Sequence, residues 1–295
     1  MRFRLPLPRR VAQPSAPAPS DPIVPGAGPD FLCIGAQKAG TTWLYEQLAS
    51  HPDFWMPPRK ELHYLNERGH APFKRRLRRR DGRDTRFLEK FGKLGERPWL
   101  DLEGYGQLFS AKGSLLSGDI TPAYCMLPDE IIHMVMCQFP KLKVLFFARD
   151  PVERAWSQLS LGVRTGGLAP FDATQSKEVL RQIRHPLVLM RSYPSMIAER
   201  WRRRVPQEQF HVFFFDDLRR DPVDLHRRIV IFLGGDPEKT NDQMRPEQAC
   251  GVTEEKLHLT DEVRAHLARF FADELRACAA SLGGAAQRWP LRYGL

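Results

Sequence analysis

The densest chemistry in this chain lies in Gly35, Ala36, Gln37, Lys38, Ala39, Gly40, Thr41 and Thr42, directly behind the apolar run Phe31-Leu32-Cys33-Ile34. The spacing is G-x-x-x-x-G. A strand feeding such a loop lets backbone N–H groups converge on an anion, and the following helix aims its positive end at it. In a nucleotide-triphosphate loop, a lysine follows the second glycine and reaches the β/γ-phosphates. Here Thr41 holds that place and the lysine sits inside the loop as Lys38. The spacing therefore predicts an anion site built for a different phosphate geometry. The bland alternative is a tight turn whose glycines serve packing alone. The strand–loop–helix context favours the site.

The elements that must hold this loop are legible from the apolar pattern. Residues 31–35 read as a buried strand, and a helix follows to about Ser50, with Trp43, Leu44 and Leu48 on its inner face. Residues 54–65 read as extended, interrupted by Pro57-Pro58, and 113–119 as a short strand ending near Thr121-Pro122. A helix is expected from Pro128 to Gln138. The run 141–148 gives the strongest strand signal, suited to the centre of a parallel sheet. Asp150-Pro151 then opens a helix, with Asp as cap and Pro at its first position. Helical patterns resume over about 172–204, a strand over 210–215, a helix capped by Asp221-Pro222, and a last helix over about 260–282. Alternating strands and helices predict an α/β fold: a P-loop-type parallel sheet flanked by helices on both faces, in one domain over 30–295. In such sheets ligands sit at the carboxyl ends of strands. The loop, the segment from Asp119 to Tyr124, and Arg149 all follow strands, so one crevice can take all three.

Composition narrows the class. The chain has 295 residues and a net charge of +10, partly clustered in 74–80 and 200–204. Such runs suit an anionic partner or cofactor, or simply a solvated helix face. Residues 1–29 are rich in Pro, Ala, Ser and Arg without a continuous apolar stretch, and read as a disordered leader. No stretch approaches the length of a membrane span. Five cysteines without a C-x-x-C point to reduced thiols and a cytoplasmic setting. The nine histidines form no ligand pattern, so no metal is implied.

Four pieces stand in order: Lys38-Ala39-Gly40-Thr41-Thr42, then Lys60-Glu61-Leu62-His63-Tyr64-Leu65, then Gly118-Asp119-Ile120-Thr121-Pro122-Ala123-Tyr124, then Ala148-Arg149-Asp150-Pro151 running on to Ser157. As an ordered set they resemble the sulfotransferases that use 3′-phosphoadenosine 5′-phosphosulfate (PAPS), most of all the glucosaminyl branch acting on heparan-type sugars. The resemblance covers roughly residues 30–290. It implies sulfuryl transfer from PAPS to a hydroxyl or amine acceptor, a carbohydrate among the candidates, with no metal. It implies a cofactor site from Gln37, Lys38, Ala39, Gly40, Thr41, Thr42 and Trp43, with Arg149 and Ser157 on the 3′-phosphate. Lys38, Glu61 and His63 would be the catalytic groups, Glu61 as general base. Asp119, Thr121 and Tyr124 would lie on the substrate side.

The physics of the reaction agrees with these roles. By analogy with phosphoryl transfer, sulfuryl transfer needs in-line placement and charge stabilisation. Lys38 can donate to the departing phosphate, and a carboxylate can take the acceptor's proton. Lys60 or His63 is close enough in sequence to hold Glu61. Arg149 offers a bidentate fork to a phosphate. Two departures stand out. Ile120 occupies a place where the heparan-type enzymes carry lysine, and their disulfide-bracketed late loop is not legible. Residues 251–257 are its candidate, with Arg245 or Lys256 as cation. The insert 73–97 is expected to shape acceptor choice. The competing readings are a Mg²⁺-dependent P-loop kinase or NTPase and a basic nucleic-acid-binding protein, the latter without any recognised motif.

Overall fold

The computed structural model describes residues 27–67, 82–241, 244–248 and 257–295. Most of the expected leader, the basic run 74–80, Cys250 and residues 251–256 lie outside the described residues. Gly28 and Pro29, which the leader expectation included, are buried in the domain.

Among the described residues four strands form one sheet: β1 (Phe31–Cys33), β2 (Gly118–Ile120), β3 (Lys143–Ala148) and β4 (Phe210–Phe214), in the order β2-β1-β3-β4. Every pairing is parallel, with Cys33 opposite Ile120 on one side and Leu145 on the other. The strands read as continuous apolar runs because helices cover both faces. Phe31, Leu32, Cys33 and residues 144–148 have no exposed surface. Pairing outlasts the strand: the Ile34 and Ala36 amides donate to the Leu145 and Phe147 carbonyls. The loop after β1 is thereby fixed beside the end of β3, where Arg149 emerges.

Helix α1 (Thr41–Ser50) buries Trp43, Leu44 and Leu48 as its spacing requires. Helix α2 (Asp129–Gln138) joins β2 to β3. Helix α3 (Pro151–Arg164) starts on Asp150, whose carboxylate accepts from the Val152 and Glu153 amides. After β4 come α4 (Phe215–Arg220) and α5 (Pro222–Leu233), the latter capped by Asp221.

Three elements differ from the sequence reading. Residues 54–65 contribute an isolated bridge, Phe54 to Leu116, rather than a strand, because Pro57 and Pro58 supply no N–H donors. That bridge occupies Leu116, so β2 is confined to three residues. Prolines at 186 and 194 split the region 172–204 into short helices, and the last helix breaks at Phe271. Among the described residues no helix is long and apolar enough to cross a membrane.

Candidate functional site

The loop between β1 and α1 is shaped by left-handed backbone. Gly40 is the N-cap of α1 at φ 97°, and a Cβ there would lie 2.6 Å from the Leu218 side chain. No side chain caps α1, and no acid sits in its first turn. The positive end of the helix therefore faces the loop uncompensated. Thr41 is buried and Thr42 is exposed at this end. Among the described residues only three non-glycines have positive φ: Lys38 at 71°, Glu61 at 63° and His63 at 59°. Such backbone costs roughly 1–3 kcal/mol per residue and persists where surrounding contacts impose it, often at functional sites. The three are the residues singled out for chemistry.

Arg149 closes one end of the cleft. Its Nη1 donates to the Lys38 carbonyl at 2.6 Å, and Nη2 lies 3.3 Å from the Glu153 carboxylate. The guanidinium stacks 4.2 Å above the Phe215 ring. Burial pulls its pKa below the usual arginine value, opposed by Glu153. Its buried Nε has no hydrogen-bond partner among the described residues. Arg219 and Arg264 also approach Glu153, at 3.8 and 3.5 Å. Three guanidiniums thus surround one carboxylate, Arg264 also meeting Asp261 at 4.0 Å, which leaves surplus positive charge of the kind a phosphate neutralises. Ser157 is partly exposed on α3, two turns beyond Arg149 and one beyond Glu153. Behind Arg149, the Asp150 carboxylate accepts from Tyr293 at 2.9 Å and pairs with Arg292 at 3.4 Å. Burial pushes its pKa up to about 6 against those contacts.

Glu61 stands beside the end of β2. Its amide donates to the Ile120 carbonyl, tying the segment to the tip of β2. Its carboxylate is gripped by Lys60 at 2.6 Å and faces His63 Nε2 at 3.5 Å. Both neighbours suggested by the sequence hold it together. His63 Nδ1 in turn lies 3.3 Å from the Asn66 side chain.

Asp119, Thr121 and Tyr124 stand behind this segment. Each is at most 1% exposed, so none offers a surface to an acceptor, and the substrate-side expectation is corrected on that ground. The Asp119 carboxylate accepts from Thr121 (2.6 Å), Tyr124 (2.7 Å) and Tyr105 (3.0 Å). It also accepts from the Leu62 amide. Burial raises its pKa, while these four donors pull it back. The Tyr124 hydroxyl accepts from the Leu65 amide at 3.4 Å. The network holds the backbone on both sides of His63 from beneath.

Trp43 and Ala39 are also packed inside rather than presented to a ligand. The Trp43 indole donates to the Pro246 carbonyl at 2.9 Å, and Gln47 to that of Arg245 at 3.1 Å. The Arg245 guanidinium turns to the Met244 carbonyl. Four contributors escaped the sequence reading: Tyr105, Arg219, Arg264 and Arg191, which donates to Gln37 Oε1 at 2.6 Å. Each is far from the motifs along the chain, and nothing in its local pattern marks it.

The family model for the sulfotransferase family matches residues 29–238. The membrane-associated sulfotransferase kil1 of Dictyostelium discoideum is 26% identical over 136 residues, which is 46% of this chain and 23% of that protein. A sulfotransferase from Alicyclobacillus acidocaldarius shares the fold, with a TM-score of 0.64, 24% identity, 89% of this chain and 99% of that one. Mouse sulfotransferase SULT7A1, complexed with PAP, aligns at TM-score 0.51 and 15% identity over 90% of this chain and 89% of its own.

Proposed function

Because the chain belongs to the sulfotransferase family, we propose that it moves a sulfuryl group from PAPS to a hydroxyl or amine acceptor. One observation carries the cofactor assignment: the Arg149 guanidinium bonds the Lys38 carbonyl, so both expected phosphate grips share one cleft. The residues fit the cofactor. The loop and the uncapped start of α1 would take the 5′-phosphosulfate. Arg149, whose buried Nε lacks a partner among the described residues, would take the 3′-phosphate with Ser157 and the surplus charge around Glu153.

The acceptor oxygen or nitrogen bonds to sulfur as the bond from sulfur to the bridging phosphate oxygen breaks. Lys38 donates to that departing oxygen, where negative charge builds. Glu61 removes the acceptor's proton, which makes the incoming atom a stronger nucleophile. Lys60 and His63 orient the Glu61 carboxylate. Asp119, Thr121 and Tyr124 position the Glu61 segment without touching the acceptor. Four described thiols, three of them buried, suit a reducing cytoplasm.

Calorimetry with 3′-phosphoadenosine 5′-phosphate and with ATP tests this reading. Mg²⁺-independent binding that needs the 3′-phosphate and weakens in Arg149→Ala is expected. Tight ATP binding that requires Mg²⁺ would replace the proposal with the kinase reading.

A further inference from the structure

A cavity of about 400 Å³ opens beside the Glu61 segment. That volume falls in the range of about 300–1,000 Å³ usual for small-molecule sites. Its wall is mostly aliphatic: Leu65, Met126, Leu127 and Ile131 line it. Two polar residues interrupt that wall, Asn66 and Arg191, and each leads back to the chemistry. Asn66 meets His63, which faces the Glu61 carboxylate. Arg191 donates to Gln37, beside Lys38 in the phosphate loop. The cavity therefore offers both polar groups linked to the reacting residues and aliphatic surface.

Arg191 is held in place. Fully buried Arg154 donates to the Ser192 hydroxyl at 2.6 and 3.0 Å and to the Val188 carbonyl at 2.7 Å, which anchors the backbone on both sides of Arg191. The Nε of Arg191 is buried without a hydrogen-bond partner among the described residues. A guanidinium in the wall of a largely aliphatic cavity matches a carboxylate. An oligosaccharide fits the aliphatic part of this wall poorly. Its hydroxyls would leave water for aliphatic side chains that return no hydrogen bonds.

Resting on the sulfotransferase reading above, we propose that the acceptor is an amphipathic hydroxy acid rather than a sugar chain. Its aliphatic body fills the cavity, its carboxylate pairs with Arg191, and its hydroxyl reaches Glu61. The hydroxyl oxygen bonds to the sulfur of PAPS, its proton passes to Glu61, and 3′-phosphoadenosine 5′-phosphate leaves.

The test uses the full chain and PAPS with three acceptors: 3-hydroxydecanoate, decane-1,3-diol, and an unsulfated glucuronate-containing tetrasaccharide. The acid should exceed the diol in kcat/KM by about tenfold or more, as expected for one charge-assisted pair, and exceed the tetrasaccharide further. Arg191→Met should bring the ratio of acid to diol close to one, even if the lost Gln37 contact slows both. Ile131→Trp should raise KM for acid and diol while the affinity for 3′-phosphoadenosine 5′-phosphate stays unchanged. A preference for the tetrasaccharide, no transfer to acid or diol, or an acid-to-diol ratio that survives Arg191→Met would overturn the proposal. Failure to bind 3′-phosphoadenosine 5′-phosphate at all would instead remove the reading beneath it.

Discussion

The two ends of the cleft are held by different means. Arg149 is 6% exposed and takes most of its support from close by: Glu153 one turn on, and the Lys38 carbonyl across one strand pairing. Glu61 keeps a fifth of its side-chain surface and sits on left-handed backbone. Its support reaches up from Asp119, which binds donors at residues 62, 105, 121 and 124. On the proposed reading, a phosphate grip would be built from one strand end and one helix start. Placing a base requires a buried polar lattice drawn from several segments, because a partly exposed carboxylate has little packing of its own to fix it.

This contrast predicts separable defects. Glu61→Gln should lower kcat by about 10²–10⁴-fold, the usual worth of general-base assistance. It should leave the affinity for 3′-phosphoadenosine 5′-phosphate within about twofold, since Glu61 is assigned to the acceptor's proton and not to either phosphate. Arg149→Ala should do the reverse, weakening that affinity by about 10²-fold, as expected for one or two charge-assisted hydrogen bonds. Single-turnover rates at saturating PAPS, beside calorimetric affinities, separate the two. If both variants lost affinity equally, the ends would not be independent.

A smaller effect on turnover is expected from Tyr124→Phe. It removes a 2.7 Å bond to a fully buried carboxylate and the oxygen that accepts from Leu65. Leaving such a group short of a partner costs about 1–3 kcal/mol of stability. The urea midpoint should fall, and kcat should fall several-fold with KM for PAPS little changed. Lost stability with an unaltered kcat would reduce the lattice to a structural role.

The same contrast explains what could be read from the chain. The cofactor end lies in short contiguous patterns, each behind an apolar strand, so Lys38, Gly40 and the Asp150 cap follow from local chemistry. The parallel order of strands then places Arg149 beside the loop. The acceptor end resisted. Tyr105 joins Asp119 from a helix that no motif marks, and Arg191 meets Gln37 across 154 positions. Asp119 and Tyr124 carry polar groups near a strand end, which resembles a site from sequence. Only their burial shows that they face inward. Pro57-Pro58 likewise cancels a strand that hydrophobicity alone suggests, because pairing needs donors as well as apolar side chains.

An effect on stability alone, not on turnover, is expected with pH, and it belongs to the cofactor end. Asp150 is 1% exposed, and burial lifts its pKa from 3.8 to about 6 despite Tyr293 and Arg292. Its carboxyl holds a proton more tightly in the folded protein than in the unfolded chain. The folded state is therefore favoured most below the unfolded value, and that advantage is lost as pH rises through about 6. Asp150→Asn keeps an oxygen to cap α3 and removes the titration. The difference in urea midpoint, variant minus parent, should climb between about pH 4 and pH 6 and level off above, the window set by the two pKa values. Parallel curves for Asp150→Asn and the parent would mean that Arg292 and Tyr293 compensate the burial fully, and that the cofactor end is as open to solvent, electrostatically, as the acceptor end.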